Sequence, residues 1–282
     1  MIFFKRISDF ILFGNIYVAL GAVCLIQSTV IQIGSKDHLI FYSALTFFAT
    51  LFVYNLQRIF YIHQKDISLN SIRRRWISEN QFSIRSLCVT GFIGVAITFF
   101  FNDPKIIFYL SPLLILSIAY FLPTIKLRQN AWFKLLTLAI VWTTATALLP
   151  IILNNINLFS TKSILHFFVQ LSFMVGICIP FDIRDHEIDK VDNINTLPHI
   201  FGEQKTRWIA VTIMLIYIFL IALEYQIGML NIKTGTALLF SAIINGTLVL
   251  LSGPKRSEYF YVAGIDGTMI LQGTALMLAH SL

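Results

Sequence analysis

Charge is what this chain has least of. Only 12% of its 282 residues are Asp, Glu, Lys or Arg, against about 25% in soluble domains. That excludes a water-soluble globule, and the 57% hydrophobic content reads as an integral membrane protein. Cysteine is nearly missing too. Cys24, Cys88 and Cys178 stand far apart in apolar runs, which excludes a disulfide framework or a thiolate metal site and leaves them as helix-packing residues. No linker, low-complexity tract or internal repeat divides the chain, so residues 1–282 read as one domain. A cleavable leader is not expected either, because the first apolar run is long, contains Asn15 and Gln27, and lacks a small-residue cleavage site.

Apolar runs near the 20 residues that cross a bilayer of roughly 30 Å are what the chain does have. Nine candidate spans result, at 8–33, 39–62, 86–101, 105–122, 132–153, 164–181, 207–223, 232–251 and 259–280. Asn102-Asp103-Pro104 marks a tight turn between the third and fourth. The fold class expected is an all-α, nine-helix membrane bundle. With the N-terminus inside, every Lys and Arg except Lys36, Lys105, Lys162 and Lys233 falls on the inner side, as the positive-inside rule requires. The C-terminus is then outside. The net charge of +7 follows the membrane rather than nucleic acid. Polar loops 58–85, 123–131, 182–206 and 252–258 share the cytosolic face of a cell (inner) membrane on this reading.

One stretch breaks the apolar pattern in a chemically specific way. Asp182, Asp185 and Asp189 follow the run Ile164 to Phe181 at spacings of i, i+3 and i+7, with Glu187 among them. At 3.6 residues per turn the three aspartates share one helix face. Like charges at the mouth of a membrane helix repel and lose hydration, so they call for a counter-ion. Mg²⁺, a hard cation that takes carboxylate and phosphate oxygens together, meets that need. A solvated helix end explains the same spacing. An acid- and base-rimmed cavity above apolar helices suits a ligand with an anionic head and a greasy tail.

The aspartate stretch resembles the second aspartate-rich motif of the UbiA superfamily of intramembrane prenyltransferases. DIRDHEIDK runs on into Thr196-Leu197-Pro198 and Phe201-Gly202, as in that family. Tyr120 to Arg128, YFLPTIKLR, is similar to the family's Tyr…Pro…Lys segment after the fourth helix. The first motif departs. The family's Asn-x-x-x-Asp-x-x-x-Asp is here YNLQRIFYIH, with Asn55 kept, Ile59 and His63 at the acid positions, and Leu56 where many members have a further Asp. One of the two Mg²⁺ sites implied by the family thereby loses its carboxylates, and the imidazole of His63 is a poor Mg²⁺ ligand.

The resemblance implies transfer of a prenyl group from a polyprenyl diphosphate to an aromatic or lipid acceptor, with Mg²⁺ as cofactor and a hydrophobic acceptor as the second partner. It makes Asp182, Asp185 and Asp189 the metal ligands and catalytic residues. Asn55 then supports the diphosphate, and Arg58, Lys126 and Arg128 are candidate clamps, since arginine pairs directly with phosphate oxygens. The positive-inside bias accounts for the same three cations, and His63 is equally read as an interfacial histidine. Loss of the first motif's acids favours a second class, a non-catalytic homologue that binds an isoprenoid or quinone lipid or scaffolds partners. A transporter is disfavoured, because Asp266 is the main charge inside a span and no inverted repeat is evident. Asp266, in GIDGT, is expected to face the bundle, for packing or near the pocket.

Overall fold

The computed structural model describes residues 2–35, 37, 39–62, 71–121, 130–191 and 194–282. All the regular structure among them is helical. A bilayer core offers no water to an unpaired peptide group, so a long apolar run satisfies its backbone as helix. Seven helices are long and apolar enough to cross, or eight if one bent pair counts as a single span. The nine-span expectation is corrected in two places. The first run is broken into α1 (Ile2–Phe13) and α2 (Ile16–Gln32), meeting at 61°. The fourth, α6 (Ile106–Phe121), contributes only a shorter apolar helix, Ile106–Tyr120.

The break has a local cause. Asn15 sits in the left-handed region at φ 66, which ends α1 and re-aims the chain. The bend is held from α3 (Ile40–Ile62): Asn55 Nδ2 donates to the Gly14 carbonyl at 3.1 Å, and Asn55 Oδ1 accepts from Asn15 Nδ2 at 3.1 Å. After α3 come the short α4 (Ile72–Glu79), capped by Ser71, and α5 (Gln81–Phe99). Gly91 lets α5 lie against α3, since a Cβ there would meet the Phe52 backbone nitrogen at 2.6 Å.

Asn130 caps α7 (Ala131–Thr143), its side chain accepting from the Trp132 and Phe133 amides. A π-helical turn, Thr144–Leu148, carries α7 into α8 (Leu149–Leu153). Pro150 has no N–H for the Thr146 carbonyl, and the Thr29 hydroxyl donates to that carbonyl instead, at 2.7 Å. The longest helix, α9 (Thr161–Val191), has 31 residues. At 1.5 Å per residue it is about 46 Å long, longer than a hydrocarbon core of roughly 30 Å. α10 (Leu197–Phe201) then turns through Gly202, at φ 77, into α11 (Glu203–Gln226). An Asn231–Thr234 capping box starts α12 (Ile232–Leu250), and a π-helical turn, Phe260–Ile265, leads into α13 (Gly267–Ser281).

Helices α2, α9, α11 and α13 enclose the main core, with Phe173 and Tyr217 packed at 5.5 Å and both almost wholly buried. Polar groups cross that core in pairs. His166 Nδ1 lies 2.9 Å from Glu224 Oε1, and His166 Nε2 lies 3.0 Å from the Thr29 hydroxyl, with both His166 and Glu224 fully buried. Apolar side chains such as Phe92, Phe108, Leu215 and Phe240 face outward, as expected of a surface solvated by lipid. The protein is an integral, multi-pass membrane protein.

Candidate active site

At the end of the bundle where α9 terminates, a cavity of about 970 Å³ opens between α2, α3, α4, α7, α9 and the lead-in to α13. Its volume is at the upper end for small-molecule sites. The inner wall is apolar and aromatic, with Val18, Leu138, Met174, Ile177 and Met269 beside Tyr54 and Trp142. Those two rings are fixed by a 2.9 Å bond from Trp142 Nε1 to Tyr54 Oη. The rim is ionic. Six basic residues (Arg58, Arg73, Arg74, Lys134, Arg184, Arg256) and six acidic ones (Asp182, Asp185, Glu187, Asp189, Glu258, Asp266) line the cavity, so acidic and basic residues are equal in number in the described lining.

The pairing within this rim is specific. Lys134, in the first turn of α7, reaches across to α9 and bridges two aspartates, its Nζ 2.8 Å from Asp182 Oδ1 and 2.7 Å from Asp189 Oδ2. Asp185 is taken by its neighbour Arg184 in a two-pronged contact, Nε and Nη2 each 2.8 Å from a carboxylate oxygen. The Arg184 guanidinium lies 4.8 Å from the Phe181 ring centre and 5.3 Å from that of Tyr261, an arrangement that favours a cation. Longer contacts join Arg73 to Asp185 (3.9 Å) and to Glu258 (3.6 Å), and Arg184 to Glu258 (3.5 Å). Burial pulls the Arg73 guanidinium below its ordinary pKa, and Arg184 beside it adds to the effect, while Asp185 and Glu258 oppose it. Arg58 forms no ion pair with a described residue, and its Nε is sealed off with no hydrogen-bond partner.

The three aspartates therefore come together with Arg58 at one cavity, as their spacing suggested. Asn55 does not join them. It is fully buried and absent from the lining, because its amide is used on Gly14, Asn15 and the Leu51 carbonyl. Its neighbour in that contact, Asn15, lines the cavity instead. Lys126, Arg128 and His63 lie outside the described residues. Sequence reasoning missed Lys134, Arg73, Arg184 and Glu258 as site residues. The one available signal was Lys134 itself, a lysine three residues into an apolar helix.

The Mg²⁺ implied by the resemblance would have to use this donor set. Among the described residues, no group of three Asp, Glu, His or Cys side chains is arranged to hold a metal ion. The reason is visible in the pairing: an ammonium stands between Asp182 and Asp189, and Asp185 has both oxygens on Arg184. As arranged, the residues do not fit a resident divalent ion.

A model of the UbiA prenyltransferase family matches residues 72–261. Comparison with curated protein sequences finds no significant match. Among solved structures, a UbiA homologue from Archaeoglobus fulgidus bound to GPP and Mg²⁺ is similar at TM-score 0.62 and 13% identity, over 96% of this chain and 100% of that one. The same homologue bound to DMAPP and Mg²⁺ gives 0.60 and 13%, over 95% and 99%. A membrane digeranylgeranylglyceryl phosphate synthase gives 0.55 and 15%, over 98% and 97%. Those identities speak for the fold; the family match spans two thirds of the sequence. This chain belongs to the UbiA prenyltransferase family.

Proposed function

We propose that the protein transfers a prenyl group from a polyprenyl diphosphate to a hydrophobic acceptor within the membrane, with the whole chain, 1–282, acting as one domain. The observation that carries the reading is a single cavity with an ionic rim and an aromatic, apolar wall, matched to a ligand with an anionic head and a greasy tail. Relatives solved with GPP, DMAPP and Mg²⁺ support the substrate class. The cavity faces the cytosol on the charge distribution of the loops.

The chemistry assigns roles to the chain's own residues. In the reaction, the bond between the first prenyl carbon and the diphosphate oxygen breaks, a bond from that carbon to the acceptor forms, and the acceptor loses a proton. Arg58, Arg73 and Arg184 take the charge that builds on the leaving diphosphate, which is where preorganised donors lower a barrier most. The Tyr54 and Trp142 faces stabilise the allylic cation, and the apolar wall keeps water from capturing it. Asp266 lines the same cavity and makes no ion pair with a described residue. It is the acceptor's base. Asp182 and Asp189 hold Lys134, and Asp185 holds Arg184, so the motif's carboxylates position cations.

The test is diphosphate release. Purified protein in lipid nanodiscs is given radiolabelled prenyl diphosphates of several chain lengths, alone and with candidate quinone, phenol and glycerol-lipid acceptors. Stoichiometric diphosphate and prenylated product are expected. Tight binding of every chain length without release would instead support the non-catalytic isoprenoid-binding homologue. The paired state of all three aspartates favours that second reading.

A further inference from the structure

Two buried carboxylates facing one another across less than two turns of helix need a positive charge between them, whatever its source. A divalent ion is one source, and it has requirements. Mg²⁺ demands near-octahedral oxygen coordination, with carboxylates, phosphate oxygens and water filling six places. In this chain the source is covalent. Lys134 Nζ is within 2.8 Å of Asp182 and 2.7 Å of Asp189, and the lysine is buried to 8% exposure. Its backbone is fixed in the first turn of α7 by the Asn130 cap. Asp182 and Asp189 each keep one carboxylate oxygen outside their contact with Lys134, yet two oxygens beside an ammonium fall short of an octahedral shell, and the ammonium repels a dication. Asp185 is equally committed, with both oxygens on Arg184. The equivalent of the first motif supplies no acid at Ile59 or His63. The ion pairs on the rim already give Asp182, Asp185, Asp189 and Glu258 a cation each.

We infer that this site binds its diphosphate ligand without a divalent metal, Lys134 serving as the resident counter-cation of Asp182 and Asp189 while Arg58, Arg73 and Arg184 receive the phosphate oxygens. The inference rests on the prenyl-diphosphate reading above and goes beyond it by replacing the ion. Arg58 and Arg73 suit that task because a guanidinium presents a fork of donors matched to phosphate oxygens, and Arg184, with Nε and Nη2 on Asp185, keeps Nη1 for them.

The experiment is equilibrium binding of geranyl and geranylgeranyl thiolodiphosphate, which resist ionisation, to the full chain in nanodiscs, once in EDTA and once in excess Mg²⁺. Affinities in the two buffers are expected to agree within about twofold, a difference too small to hold a bridging ion. Lys134→Met removes the ammonium and leaves its volume. Binding by that variant is expected to weaken by about tenfold or more in EDTA and to recover when Mg²⁺ or Mn²⁺ is added, since the aspartate pair then lacks a cation. A second measurement does not depend on the variant folding: Mn²⁺ EPR of the wild-type chain, with and without inorganic diphosphate, should show no protein-bound ion. Wild-type binding that collapses in EDTA, or Mn²⁺ held by the wild-type chain at the aspartates, overturns the inference and leaves the prenyl-diphosphate reading standing. Absence of binding in both buffers overturns both.

Discussion

Arg58 offers the sharpest separation between a ligand-binding cation and a structural one. Its side chain lines the cavity and forms no ion pair with a described residue. Four other guanidiniums, those of Arg73, Arg74, Arg184 and Arg256, line the same space. In the unliganded protein, then, Arg58 is a partly desolvated charge with no ion pair among the described residues, which is unfavourable for folding. A bound diphosphate reverses that, because a charge-assisted hydrogen bond contributes about 1.5–3 kcal/mol. Substituting Arg58→Met keeps most of the volume and removes the charge. The two consequences have opposite signs. Affinity for a prenyl thiolodiphosphate should fall by about tenfold to 150-fold, the same energy expressed as a ratio. Unliganded thermal stability should hold or rise slightly, by roughly 1 kcal/mol or less. Isothermal titration and ligand-free unfolding in matched nanodiscs measure the two quantities. The affinity loss should shrink as salt is raised. If Arg58→Met binds as the wild type does, or loses stability in step with affinity, the guanidinium is a structural or orientation-setting group and the assignment fails.

Three other expectations follow from the same geometry. Asp266→Asn should cut turnover by about a hundredfold or more, the usual worth of a positioned base, while thiolodiphosphate affinity stays near wild type; steady-state kinetics beside binding on one preparation decides it, and unchanged turnover removes Asp266 from the reaction. Breaking the buried His166–Glu224 pair one side at a time should be costly, with His166→Leu destabilising by roughly 3–5 kcal/mol and the double variant His166→Leu/Glu224→Leu recovering much of that; denaturant titration in micelles reads it, and an additive double variant argues against coupling. On topology, Asn195, exposed between α9 and α10, should be cytosolic, so Asn195→Cys in a background lacking Cys24, Cys88 and Cys178 should resist impermeant maleimide in intact cells and react after lysis. Strong labelling from outside inverts the orientation.

The bundle was legible because a bilayer leaves an apolar run few alternatives to helix. The miscount of spans shows where that legibility stops. Hydropathy averages over 8–33 and sees one run, whereas the dihedral angles of Asn15 divide it into two helices at 61°. A left-handed asparagine has a propensity signal, but the bend it makes is held by the Asn55 side chain, 40 residues away. That same contact explains why Asn55 misled. A polar residue in an apolar helix must find a partner, and the sequence does not say whether that partner is a ligand or the carbonyl of Gly14. The aspartates were readable because their relation to one another is local, set by one helix. Their partners were not, because Lys134 comes from α7 and Arg73 from α4, and the positive-inside rule supplies a generic reason for every lysine and arginine on that face.

The distances within the rim also rank its cations. Lys134 is held by two carboxylates below 3 Å, and Arg184 by two contacts at 2.8 Å that leave only its Nη1 for a ligand, so neither can turn without breaking a strong contact. Arg73 is different: its carboxylate contacts stretch to 3.6 and 3.9 Å, beyond hydrogen-bond range, and its Nε has no hydrogen-bond partner. A loosely held guanidinium is the one that can turn toward an incoming phosphate without first breaking a strong contact. Arg73→Ala should therefore weaken thiolodiphosphate binding by roughly 1.5–3 kcal/mol while leaving unliganded stability near that of the wild type. Arg184→Ala should do the reverse in emphasis. It strips Asp185 of its two-pronged partner and leaves both Asp185 and Glu258 with only the long contacts to Arg73, and breaking a largely buried ion pair from one side costs up to about 3–5 kcal/mol. Parallel unfolding and binding measurements on the two variants read the order directly. A fold that tolerates Arg184→Ala but is broken by Arg73→Ala would mean that contact length does not rank these cations, and that α4 is held to the bundle by Arg73 rather than poised over the cavity.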